Sequence, residues 1–293
     1  MAHSQPDIRV RYRECPDKAC PGAPVAARET ATAKTPPRLS PGVTETRVDP
    51  HVKILDQDVA ERAKSRGIDV LVYAPHFVRL PEIRERAAAF SDDELLVVPA
   101  REVFTGPWQE RRHVLALGLT EPVPDFITLE GAFDEFDRQN ATVLAPHPEF
   151  ATVSLGAPEF ERYGDQLAGG EVYNPKHLPW QNERARELVE AYGLPPFGSS
   201  YAHRRATVGE VWTTFERDIG SEADLLDALE SGAPRRVEHR RGWRHTLRCR
   251  LETLDLAYEN TYKKLDRVLL SGMEPTHPRH IAYEGRFEDV RVY

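Results

Sequence analysis

Residues 95–119 read LLVVPAREVFTGPWQERRHVLALGL. Two short apolar, β-branched runs flank a polar connection, and the pair Arg101-Glu102 stands where the first run would leave a sheet. Runs this short and this apolar predict strands buried on both faces. Working outward, the pattern recurs in VLVYA (Val70–Ala74), ATVLAP (Ala141–Pro146), GEVYN (Gly170–Asn174) and PFGSS (Pro196–Ser200). Between these runs lie the amphipathic stretches DVAERAKSRG, LPEIRERAAAF, LEGAFDEFDRQN and WQNERARELVEAYG. Several close on the Gly or Asn that helix C-termini favour. Strand–helix alternation predicts an α/β fold with a parallel sheet covered by helices, and the number of units suits a barrel better than an open doubly wound sheet.

The flanks differ in composition. Residues 1–46 include CPGAPVAARETATAKTPPRLSPGVTET, a Pro-, Ala- and Thr-rich run without apolar period, so a disordered low-complexity N-terminal segment is expected there. Residues 47–234 would form the barrel. Residues 235–293 would form a C-terminal appendage: an arginine-rich run, a long amphipathic helix through LETLDLAYENTYKKLDRVLL, and a tail with two short extended runs. The net charge of −8 argues against broad attraction to nucleic acid. No apolar run approaches the ~20 residues of a membrane span. The first residues lack the order of a signal peptide, so a cytoplasmic address is expected. Three cysteines (Cys15, Cys20 and Cys249) make no disulfide framework.

In a parallel α/β barrel the ligand-handling residues come from the C-terminal ends of the strands. Those ends carry His76, Glu102, His147, then Asn174 with Lys176 and His177, then Tyr201 and His203; the first element places Asp49 and His51 before a helix. His113 starts its run, so it joins such a site only if its strand enters from a neighbouring face. One histidine at a strand end is ordinary. Neutral imidazoles and a carboxylate repeated at successive ends are what borderline divalent metals bind, and desolvating them without a metal costs free energy.

The motif order is more specific than any single residue. DPH-x-K (Asp49–Lys53), APHF (Ala74–Phe77), VVPAREVFT (Val97–Thr105), HVLALGL (His113–Leu119), APHP (Ala145–Pro148), EVYNPKH (Glu171–His177) and GSSYAH-x-x-x-TVG (Gly198–Gly209) together resemble the PHP (polymerase and histidinol phosphatase) family. The resemblance implies a distorted (β/α)7 barrel holding divalent metal ions, usually manganese, zinc or iron, and metal-dependent phosphoester hydrolysis of the phosphatase or 5′-to-3′ exonuclease type. His51 matches the first histidine of the family's H-x-H, His76 that of T-D-H, Glu102 the bridging glutamate, His113 and His147 its two companions, and His203 the histidine of S-D-A-H. Departures are equally plain: Lys53, Pro75 and Tyr201 stand where a histidine and two aspartates are usual. Carried over strictly, Glu102, His113 and His147 alone keep a full set, implying one or two ions per chain.

Lys53 is therefore expected to replace one cation and, with His51 and Tyr201, to act on substrate. Arg101 and Arg204, with Arg111, Arg112 and Arg205 nearby, are expected to face phosphate. The expected substrate is a phosphorylated small molecule or nucleotide. The alternative is a catalytically inactive PHP-like barrel used for binding or regulation. The run Arg235–Arg250, with Trp243 in it, suits either single-stranded nucleic acid or docking onto the acidic body, and docking is preferred.

Overall fold

The fold is seen in a computed structural model that describes residues 44–107, 110–150, 153–258 and 275–292. The expected low-complexity segment lies almost wholly outside them, as do residues 259–270 of the expected long C-terminal helix. The chain runs β1 (Thr46–Val52), α1 (Gln57–Ser65), β2 (Val70–Tyr73), α2 (Leu80–Phe90), β3 (Leu96–Thr105), β4 (Arg112–Leu117), α3 (Leu129–Arg138), β5 (Thr142–Ala145) and α4 (Ala157–Tyr163). It continues through β6 (Leu167–Tyr173), α5 (Pro179–Ala191), β7 (Pro196–Gly198), β8 (Val211–Phe215), α6 (Glu222–Glu230), β9 (Arg235–His239) and α7 (Trp243–Tyr258).

The strands form one mixed sheet in the order β7-β6-β5-β4-β3-β2-β1-β8-β9. It curls until its ends nearly meet. Gly198 N donates to Thr213 Oγ1 at 3.0 Å, and the same hydroxyl donates back to Gly198 O at 3.0 Å. A Cβ on Gly198 would lie 2.4 Å from Val237 of β9, so the closure requires glycine there. Two expectations need correction. β4 runs antiparallel to both β3 and β5, and β8 and β9 are antiparallel additions beyond β1, with β9 continuing the sheet past Pro234. The tail forms turns and a short 3-10 helix, with one isolated bridge from Ile127 to Arg291 in place of extended runs.

Val48, Val72, Val98, Leu115, Leu144 and Phe197 fill the barrel interior, and Leu225 and Leu229 of α6 pack into that same cluster. α1 and α2 cover one flank through Val59, Ala63 and Ile83; α3 and α5 cover the other through Phe133, Phe136 and Val189. The interior is apolar along the strands and becomes polar only at one mouth.

Candidate metal centre

Strand alternation decides which side chains reach that mouth. On β3, Val98 and Ala100 belong to the interior cluster, so Glu102, two residues on, also faces inward. Arg101 must then face outward. It does: the guanidinium pairs with Asp125 at 3.0 Å and donates to Val78 O at 2.7 Å, fully buried. The expectation that Arg101 binds phosphate is overturned by this alternation.

β1 breaks the rule in a useful way. Val48 lies in the interior cluster and Val52 in the outer one, although regular alternation would put both on one face. The register with β2 shifts between Asp49 and Val52, around Pro50. Such an irregularity re-aims the side chains beyond it, and here it turns His51 and Lys53 inward. The antiparallel course of β4 resolves the position of His113, which pairs across from Phe104 and so starts its strand where β3 ends. His147 and Tyr201 reach the mouth from turn residues in the left-handed region, with φ of 36° and 47°.

Glu102 is the hub, with no exposed side-chain surface. Its Oε1 lies 3.0 Å from His147 Nε2, 3.5 Å from His51 Nε2 and 3.6 Å from His113 Nδ1. Its Oε2 accepts from Lys53 Nζ at 2.6 Å and lies 3.0 Å from His76 Nδ1. Lys53 also donates to Ala74 O at 2.7 Å. The carboxylate is thus divided: one oxygen faces three imidazoles, the other an ammonium and a fourth imidazole. One ligand atom from each of Glu102, His113 and His147 falls within 4.8 Å of the others.

Hydrogen bonds fix the proton on His147. Ser154 Oγ donates to Phe150 O at 3.1 Å, so it must accept from His147 Nδ1 at 2.8 Å. In the neutral ring Nε2 then carries a lone pair, and it faces a second lone-pair atom, Glu102 Oε1, at 3.0 Å. A cation between them is what that geometry lacks. Both ring nitrogens of buried His51 and His113 also go without a hydrogen bond, a costly state for polar atoms away from water. The residues present fit a divalent ion.

The electrostatics agree. Burial holds His51 well below the ordinary imidazole range and His113 down at about 3, so both stay neutral, the ligating form. Burial works to raise the Glu102 carboxyl, but the positive charge of Lys53 leads the neighbours that hold it well below the usual range. Burial brings Lys53 down to about 8 against the attraction of Glu102.

Around this hub stands a second layer. Tyr201 lies against His51, His147 and His203, with ring centroids 4.8, 5.1 and 4.7 Å away. His203 Nδ1 donates to Tyr201 O at 3.0 Å, leaving Nε2 to face His76 Nε2 at 3.3 Å. Glu171 accepts from His147 N at 2.7 Å and Ser199 Oγ at 2.6 Å. Asp49, pushed up to about 6 by burial, accepts from Ser200 N and Gly209 N and so latches β1 to the loop before β8. Lys176 pairs with Glu252 at 3.4 Å and donates to Tyr201 O. Glu252, on α7, accepts from His203 N at 2.6 Å and Arg204 N at 2.7 Å.

All six expected metal-binding residues therefore meet at one mouth, together with Lys53 and Tyr201. Arg204 stands exposed beside it; Arg112 pairs with Glu159 and Arg205 with Asp58 instead. Sequence reasoning missed Glu171, Ser154 and Glu252. A lone acid in the apolar run GEVYN signals the first. Glu252 has no local signal, because only the docking of α7 brings it there.

Residues 179–234 match the PHP-associated family model. No curated protein matches the chain. Among solved structures, PsfC from Pseudomonas syringae PB-5123 is similar with a TM-score of 0.55 at 17% identity, covering 72% of this chain and 99% of that one. A lesion-specific endonuclease from Pyrococcus furiosus gives a TM-score of 0.49 at 14% identity, over 66% of this chain and 58% of that one. A chain from Bifidobacterium adolescentis classed as a metal-dependent phosphoesterase gives 0.44 at 12% identity, over 62% and 95%. At these identities the likeness is one of fold. No helix among the described residues is long and apolar enough to cross a membrane. The seven motifs thus stand in order around the mouth of a nearly closed barrel, and the segment 179–234 in its second half is similar to the PHP-associated family.

Proposed function

We propose that the protein is a metal-dependent phosphoesterase acting on a phosphorylated metabolite or nucleotide, with Glu102, His113 and His147 holding its principal ion. The observation that carries this reading is the split carboxylate: Oε1 faces His147 Nε2 at 3.0 Å, while Oε2 is held by Lys53 at 2.6 Å. Bound there, a divalent ion such as manganese, zinc or iron supplies Lewis acidity toward a phosphoryl oxygen and toward water. Lys53 supplies a fixed positive charge beside it, in the place of a second cation, and holds the phosphoryl group from that side. Ser154 keeps the His147 proton on Nδ1, so that Nε2 stays a donor to the ion. His51, His76 and His203 line the remaining wall, where burial keeps the His51 and His203 rings neutral, and the three suit a partial second ion or contact with phosphate. Tyr201 closes the wall over His51 and His147.

The test is metal content of the purified protein together with hydrolysis of p-nitrophenyl phosphate and of a 5′-phosphorylated oligonucleotide in added manganese. One bound ion per chain and turnover that chelation abolishes are expected. Turnover unchanged by Glu102→Ala would refute the assignment. One observation favours the second reading, a catalytically silent barrel: Lys53 and Tyr201 occupy the places of usual ligands. Under that reading metal would bind without turnover of either substrate.

A further inference from the structure

Beside the metal centre, across the loop that precedes β8, lies a second cluster built around a buried glutamate. Glu210, at the start of β8, has no exposed side-chain surface. It accepts from Arg66 at 3.0 Å and Arg248 at 2.9 Å, pairs with Arg62 at 3.3 Å, and meets His245 Nδ1 at 2.9 Å. Arg240 comes from the end of β9 and donates to Gly209 O and Arg66 O. Arg241 and Arg244 stand exposed at the rim. All of these but Arg62 line an open cavity of about 410 Å³. Among the described residues, Glu210 is the one carboxylate paired with any of these arginines. Five guanidiniums, from Arg66, Arg240, Arg241, Arg244 and Arg248, line the cavity and, with Arg62 beside them, share one negative charge in a protein whose net charge is −8.

Part of the basic run is consumed in docking. Arg235 donates to the carbonyls of Ala228, Leu229 and Ala233, and Arg236 pairs with Glu45. The cavity is what remains. Its guanidiniums converge from three separate elements on one concavity, as recognition of a compact, multiply charged oxyanion demands. The first turn of the 16-residue helix α7 borders the same space and adds its N-terminal dipole. A compact cluster of this kind fits a short anion better than a long strand, which needs a basic stripe.

We propose that this cavity binds a compact oligophosphate anion of the pyrophosphate type, at a site separate from the metal centre. The site stands on its own geometry and does not depend on turnover at Glu102. α7 spans both places: His245 faces the cavity, while Glu252, seven residues on and about 10 Å along the axis, bonds His203.

Calorimetric titration of the full, metal-stripped chain with inorganic pyrophosphate tests the proposal. One saturable site is expected, weakened at least about tenfold in R241A/R244A, as loss of two charge-assisted contacts predicts. Both side chains are exposed, and an unchanged melting temperature shows that the variant is folded. Glu210→Gln removes the competing charge and is expected to tighten binding several-fold, opposite to what a merely structural role would give. Glu102→Ala is expected to leave this affinity unchanged. Absence of saturable binding, an unchanged Kd in R241A/R244A, or binding of oligothymidine that pyrophosphate does not displace would each overturn it.

Discussion

Glu102 and Glu210 are both fully buried carboxylates at the same end of the barrel, yet their surroundings are of opposite kinds. Glu102 meets four imidazoles and one lysine, groups that can shed a proton. Glu210 meets three guanidiniums and one histidine. Burial works to raise the Glu210 carboxyl too, but the His245 bond and the charges of Arg66 and Arg248 hold it below the usual range. A guanidinium keeps its charge, so Glu210 is already neutralised and has nothing to offer a metal. Burial keeps His51 and His113 neutral, and they leave the charge of Glu102 only half answered. The titratable partner therefore leaves room for a cation, and the permanent one leaves room for an anion.

The largest effect that breaks this comparison comes from its two hubs. Glu102→Ala should abolish metal retention and reduce turnover by more than the 10- to 100-fold range, about what is lost when a ligand's outer support is removed. Glu210→Gln should leave metal content intact. Elemental analysis of both variants decides it. Next in size, Arg101→Met strands Asp125 as a buried charge and should cost roughly 3–5 kcal/mol of stability in chemical denaturation. Its metal content, per folded molecule, should match the wild type, since Arg101 faces away from the mouth.

A subtler effect sharpens the role of Lys53. Its ammonium is brought down to about 8 by burial, from an unfolded value near 10.5. Between those two values the unfolded chain binds the extra proton, so stability should rise with pH across that window. Lys53→Met should lack that component of the rise, read as the difference between the two denaturation series in metal-free buffer. The smallest effect lies at the sheet edge. The Arg236 bond holds the Glu45 carboxyl below its usual range, so the pair stabilises above that range and its contribution disappears as pH falls through it. Arg236→Ala should cost under about 1 kcal/mol at neutral pH.

Much of this was legible in the residues themselves. The apolar runs at Val70, Leu95, Ala141 and Gly170 became strands, and the motif order drew His51, His76, Glu102, His113, His147 and His203 to one mouth. The strand directions were not legible, because a continuous apolar run such as HVLALGL reads alike in parallel and antiparallel neighbours. VWTTF and RRVEH carry no clear strand signal, because polar and charged residues interrupt them. Their pairing with β1 and with each other, a tertiary matter, makes them strands. Arg101 and Glu102 sit side by side in sequence, and only the inward parity of Val98 and Ala100 tells them apart. The slip at Pro50 and the reach of Glu252 belong to long-range packing, which no local pattern records.

The bond from Glu252 to the His203 amide joins positions 49 residues apart in the chain. During synthesis at about 5–20 residues per second, roughly 2–10 s pass between the making of one partner and the other. At the start of that interval the strands up to β7 exist, while β8, β9 and the helix that seals the edge of the mouth are still to be made. His203 and Lys176 then face the surrounding solvent, and an ion has an open door before the last helix swings into place.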